Sequence, residues 1–245
     1  MSIINDLLTA VENDAVKDHK APADYDESKL KTLTELAATI PCGSALLCSG
    51  TAAESRMIEQ VDGTDFSHSA MIVRFHHDQQ GLDDHQLYVW TADTVDKLDD
   101  QIDKLSDKKH PGTHLLKLED YLTSLDKLYP SPDGSKYRFA VARLSGVKID
   151  EKQLWSVMYQ YDGTPFPPTK QEFMHWIEGQ LNINAGMLNA FCAQMLANTY
   201  QKMGWLSKKH PPNHYNPGSF AKTERINKQL MAGAQLAKPE YFKLA

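Results

Sequence analysis

The chain has 245 residues, 41% hydrophobic and 24% charged, the proportions of an ordinary globular protein, which exclude wholesale disorder and a fibrous class. Lys plus Arg number 26 against 32 Asp plus Glu, a formal charge of -6; with no basic excess to neutralise phosphates, nucleic acid is not expected as a partner. The three cysteines, Cys42, Cys48 and Cys192, lack the dense spacing of a secreted disulfide framework and are expected as reduced thiols.

Residues 2–17 carry Ile4, Leu7, Leu8, Val11 and Val16 at a helical period, which Ala21-Pro22 breaks. Asp6, Glu12 and Asp14 interrupt the apolar run that a secretory leader needs. Nowhere do about 18 apolar residues run together, so no transmembrane segment is expected. The protein is therefore expected to be cytoplasmic as synthesised. Residues 1–27 read as a helical extension and linker, 28–220 as the main domain and 221–245 as a helical tail. A helix is expected from Ser28 to about Thr39, ending before Pro41, and Gly43 to Cys48 reads as a buried strand. Ser69 to Phe75 and Gln86 to Thr91, rich in β-branched and aromatic residues, predict two antiparallel strands joined through Gly81. Thr94 to Lys108 is dominated by Asp and Lys and reads as a solvated helix or loop. Two more strands are expected at His114 to Leu118 and Tyr137 to Leu144, with a helix over Glu119 to Leu128 between them. Helices follow over Asp150 to Tyr161, Lys170 to Leu181 and Met187 to Trp205, the first two divided by the Pro-rich breaker Gly163 to Pro168.

In the last helix Cys192, Leu196, Thr199 and Met203 share one face. With Asn189 as its cap, Cys192 would sit in the first turn, where unpaired amides and the helix dipole favour a thiolate. A buried cysteine is otherwise a small apolar residue, so a catalytic role needs a base. His68 stands at the mouth of the strand SAMIVRF, and such a base must be aimed by a third polar group. Thr91 and Asp93 share a face of the next strand. Thr91 would serve as a neutral acceptor, whereas Asp93 would add charge that stabilises imidazolium. Cys42 and Cys48 read as packing residues beside the first strand, and Trp155, Tyr159, Phe173, Trp176 and Ile177 as core at helical spacing. His76 and His77 are adjacent and diverge on a strand, and no HExxH, paired CxxC, Walker, GxSxG or GxGxxG motif occurs. No metal or other cofactor is expected.

Taken in order, GSALLCSG (Gly43 to Gly50), FSHSAMIV (Phe66 to Val73), FCAQ (Phe191 to Gln194) and YNPG (Tyr215 to Gly218) resemble the motifs of the permuted NlpC-type, papain-like cysteine hydrolases, the YiiX/YaeF-like and lecithin:retinol acyltransferase-like branch. The resemblance spans about residues 38–220 and places histidine before cysteine, the reverse of papain. It departs at Ser44, where the family often has Asp, at Ala193, often Ser, and at Thr91, often acidic, amide or histidine. It implies an α+β papain-like fold, an antiparallel sheet packed against helices, with Cys192 as nucleophile, His68 as base and Thr91 as the third residue. It also implies a small peptide-like or acyl substrate. An amide, such as that of a cell-wall stem peptide, is preferred to a lipid acyl ester, since the lipid branch usually carries a hydrophobic anchor. On that reading the chain is a thiol amidase or peptidase. Reaching a cell wall would require export by a leaderless secretion system, as for an antibacterial effector, which would bring a protein inhibitor or immunity partner. A ligand-binding module without catalysis, motivated by Thr91 in the third position, is the alternative from another class.

Overall fold

The computed structural model describes residues 21–23, 25–50, 53–76, 82–83, 85–102, 109–128 and 136–244. The helix expected over 2–17, the turn at Gly81 and most of the linker lie outside the described residues. The strands are β1 (Ala45–Ser49), β2 (His68–Val73), β3 (Tyr88–Asp93), β4 (Gly112–Lys117), β5 (Arg138–Ala142), β6 (Leu144–Ser145), β7 (Gln235–Leu236) and β8 (Glu240–Phe242). The helices are α1 (Leu33–Ala37), α2 (Ala53–Asp62), α3 (Leu118–Leu128), α4 (Glu151–Tyr161), α5 (Thr169–Gln180), α6 (Cys192–Lys202), α7 (Pro217–Ala221) and α8 (Thr223–Ile226). Six strands form one antiparallel sheet in the order β4-β3-β2-β1-β5-β8, and helices pack on it, so the fold is α+β as expected.

The central strands are covered on both faces, which is why β1, β2 and β3 read as continuous apolar runs rather than alternating ones. On one face Leu47, Met71, Val73, Trp90 and Leu115 join the core of α6, and Trp90 Nε1 donates to Thr199 Oγ1 at 3.1 Å. On the other, Leu46, Cys48, Ala70, Ile72 and Val89 pack with Leu33 and Leu36 of α1 and with Tyr121, Leu122 and Leu125 of α3. No helix among the described residues is long and apolar enough to cross a membrane.

Four expectations change. The helix expected from Met187 begins only at Cys192, because the Ala190 amide is bonded to Pro165 O and Phe191 is extended (φ -91°, ψ 167°); Asn189 does not cap it, and no side chain does. Thr32 and Glu35 form a capping box that starts α1 at Leu33, with a separate 3-10 turn at Glu27–Lys29 where the longer helix was expected. The stretch after β3 is not simply solvated: Val95, Asp100 and Ile102 are buried, while residues 103–108 lie outside the described residues. The tail after residue 221 is largely not helical. Beyond α8 it enters the main sheet, where β8 covers the edge of β5 and Phe242 stacks on Phe139 with ring centroids 6.0 Å apart. Leu33 N donates to Lys243 O, and Lys243 N to Lys31 O, which ties α1 to this last strand; Tyr25 also packs edge-on against Tyr241. The helix α2 was not foreseen.

Phe242 is fully buried, so Phe242→Ala is expected to destabilise the domain by about 3–5 kcal/mol in urea denaturation. A cost below about 1 kcal/mol would mean that β8 lies outside the cooperative core.

Candidate active site

His68 opens β2, and strand register decides what it meets. Cys48 of β1 lies directly opposite it. On the other side Met71 pairs with Trp90, and Thr91 in turn with His114 of β4. Because side chains alternate along a strand, His68, Cys48, Thr91, Asp93 and His114 all project from the face packed by α3, which delivers Tyr121.

A chain of hydrogen bonds joins them. His68 Nε2 lies 2.9 Å from Thr91 Oγ1, and Thr91 Oγ1 donates to Asp93 Oδ2 at 3.2 Å. His114 Nε2 is 3.1 Å from Asp93 Oδ1, and its Nδ1 is 3.2 Å from the carbonyl of His110. Both ring nitrogens of His114 thus face pure acceptors, which only the doubly protonated imidazolium satisfies. The single Thr91 proton goes to the Asp93 carboxylate, so Thr91 Oγ1 must accept from His68 Nε2–H. The Tyr121 hydroxyl lies 3.2 Å from the same nitrogen. Neutral His68 in this arrangement carries its proton on Nε2 and a lone pair on Nδ1. Thr91 and Asp93, read from the sequence as rivals for aiming His68, act in series.

The electrostatics agree with this arrangement. Burial pushes the His68 imidazole below its ordinary value, with the Asp93 charge opposing and the His114 charge adding to the fall. Burial alone would raise Asp93 and lower His114, but their mutual attraction and hydrogen bond reverse both, so Asp93 is held below and His114 above the usual range. Burial, then the Asp93 charge, push Tyr121 well above the ordinary phenol value.

Cys192 lies in the first turn of its helix, and Cys42 and Cys48 are buried beside or within β1, as expected. Cys192 is the first residue of α6 and is buried, on the helix that covers the opposite face of the sheet from the His68 ring. Tyr200 OH donates to Gly43 O at the far end of β1, so the N-terminus of α6 points towards the end of the sheet where His68 stands. The two expected partners share an end of the sheet and not a face. The thiol on the face of His68 is Cys48, pushed well above its ordinary value by burial and then by Asp93 and Cys192; burial also lifts Cys42, to about 11.

Sequence reading missed Tyr121 and His114. Alternation places His114 and Leu116 on one face, but only the β3–β4 register brings His114 to Asp93. At the closing motif Asn216 caps α7, and Gly218 N donates at 2.9 Å to Asp62, whose carboxyl burial raises to about 7. Of the aromatic stripe, Trp155 and Trp176 pack against the core and Tyr159 is exposed; the side chain of Phe173, and His77, lie outside the described residues.

No protein-family model and no curated protein matches the chain. Among solved structures it is similar to the crystal structure of metalloprotein yiiX from Escherichia coli O157:H7, DUF1105, at 17% identity and a TM-score of 0.41, over 84% of this chain and 97% of that one.

Asp93→Asn is expected to lower the imidazole pKa values of both His114 and His68, because the carboxylate raises each; imidazole NMR titration reads this directly. The sign for stability follows from linkage. The contribution of Asp93 is present above its unfolded value near 3.8 and lost as pH falls through its lower folded value. That of His114 is full below 6.5 and lost as pH rises through its higher folded value. The stability advantage of wild type over Asp93→Asn should therefore peak between these limits; a difference independent of pH would sink the ion pair.

Proposed function

We propose that the chain is a thiol hydrolase of the papain-like, permuted NlpC type that cleaves an amide bond, with Cys192 as nucleophile and His68 as base. The observation that supports this reading is the hydrogen-bonded chain that runs from His68 Nε2 through Thr91 to Asp93. Thr91 and Asp93 hold one nitrogen as a donor, and neither bond to the ring uses Nδ1, at a half-buried strand end. Cys192 contributes a thiol at the start of an 11-residue helix, where the dipole favours a thiolate and the backbone amide can serve an oxyanion.

His68 Nδ1 takes the Cys192 proton and the thiolate attacks the carbonyl carbon. The tetrahedral adduct collapses, the C–N bond breaks, and the leaving amine takes the proton from His68. Water, deprotonated by the same nitrogen, then hydrolyses the thioester to the acid and restores the thiol. The two side chains must meet around the start of β2, a contact that substrate completes, since catalytic hydrogen bonds often tighten only in the complex. Peptide amides of the cell-wall type are the proposed substrates, and lipid acyl esters would follow the same steps.

A second reading takes Cys48 as the reacting thiol, because it faces His68 across β1 and β2. Its raised pKa and complete burial weigh against it.

Hydrolysis of peptidoglycan fragments and of short-chain and phospholipid esters, measured on wild type, Cys192→Ala, Cys48→Ala and His68→Ala, tests these readings. Cys192→Ala is expected to remove more than about 10³-fold of the turnover and His68→Ala about 10²–10⁴-fold, with Cys48→Ala close to wild type. Loss in Cys48→Ala with Cys192→Ala active would reassign the nucleophile. Binding of a fragment without thiol-dependent turnover of any substrate would leave the ligand-binding module.

A further inference from the structure

Away from both thiols, three ligating side chains from separate segments converge. One oxygen each of Asp100 and Asp162 and one nitrogen of His110 all lie within 4.8 Å of one another. Asp100 follows β3, His110 precedes β4, and Asp162 is the C-cap of α4. They are not an exposed acidic patch: Asp100 and Asp162 are 2% and 3% exposed, and the His110 side chain 12%. We propose that Asp100, His110 and Asp162 bind a divalent transition cation, of the zinc or manganese class.

Each ligand is placed from behind. Asp100 Oδ1 accepts from Ile102 N at 3.1 Å and Leu115 N at 3.0 Å, while Oδ2 lies 3.1 Å from His110 Nε2. Asp162 is set by the docking of its turn on β4, where Gly163 N donates to Thr113 O and Thr113 N to Thr164 O, both at 2.8 Å. This approach needs glycine at 112: φ is +117°, and a Cβ there would stand 2.4 Å from Thr164 O. His110 Nδ1 lies 3.3 Å from Pro111 O, an acceptor that can hold the Nδ1 proton and free Nε2 to ligate an ion in place of its contact with Asp100, the usual arrangement for a metal-binding histidine. Two ligands each about 2.1 Å from one ion stand about 3.4 Å apart in tetrahedral geometry and about 3 Å apart along an octahedral edge, and the Nε2–Oδ2 separation of 3.1 Å falls in this range.

Burying carboxylates is costly unless positive charge accompanies them, and Asp100 and Asp162 are both buried, which favours a cation between them. The cluster continues through the His110 carbonyl and His114 to a third buried carboxylate, Asp93. The donor set narrows the ion. Two carboxylates with an imidazole are too few oxygens for calcium, the nitrogen disfavours magnesium, and the absence of thiolate among these ligands suits zinc or manganese with water completing the shell. The proposal does not depend on the thiol chemistry.

The full chain, stripped with chelator, would be titrated with Zn²⁺ and Mn²⁺ in separate calorimetric experiments, with the thermal midpoint followed in parallel. One binding event that raises the midpoint is expected, weakened at least about tenfold in both Asp162→Asn and His110→Ala. If Asp162→Asn does not fold, as judged by near-ultraviolet dichroism, His110→Ala decides, since its side chain reaches the surface. The stacked pair His210 and His214, ring centroids 4.1 Å apart, is the control for adventitious zinc. Binding lost on His210→Ala but retained in His110→Ala would overturn the assignment, as would no binding of either ion below about millimolar concentration.

Discussion

A carboxylate inside the sheet layer organises this molecule. Asp93 ends β3 with its side chain buried, where an ionised group is tolerated only if positive charge and hydrogen bonds surround it. It takes bonds from Thr91, from His114 and from the Val95 amide. Each of these fixes something further: Thr91 the proton of His68, His114 the link to β4, and Val95 the direction of the chain leaving β3. A surface aspartate with the same partners would be screened and its neighbours free to reorient. Here the low-polarity surroundings make the orientation of every hydrogen in the chain a consequence of one charge.

The sheet divides the chemistry between its two faces. The polar chain from His68 to His114 lies on the face of α1 and α3, and the thiol at the start of α6 lies on the other. What joins them is position along the strands: Cys48 and His68 sit opposite one another at the end towards which the α6 N-terminus points. A site assembled at a strand end draws side chains from both faces, whereas one in the middle of the sheet draws from a single face.

The sequence was most informative where local pattern is sufficient. The apolar runs that became β1, β2 and β3 mark buried strands, and period-two alternation correctly set Thr91 and Asp93 side by side. It was least informative where distant segments must first meet. His114 becomes the partner of Asp93 through a register that the intervening charged segment does not encode. Nothing near Cys192 says which face of the sheet its helix will cover. β8 was missed because three residues after Pro239 are too short to show a period, and their strand character comes from the open edge of β5. The α6 start was misplaced because a tertiary bond from Ala190 to Pro165 overrides a plausible cap.

The placement of β8 bears on how the protein is made. During synthesis β5 emerges long before its outer neighbour, and until residues 240–242 leave the ribosome the edge bearing Phe139 and Val141 has no partner. An unpaired edge with apolar side chains is a template for strands from other nascent copies. The polar residues of the relay are all translated by then, so what the last strand adds is protection. A polypeptide halted just before Glu240 would carry the relay residues on a sheet open to its own kind, and crowded polysomes are where that exposure would matter most.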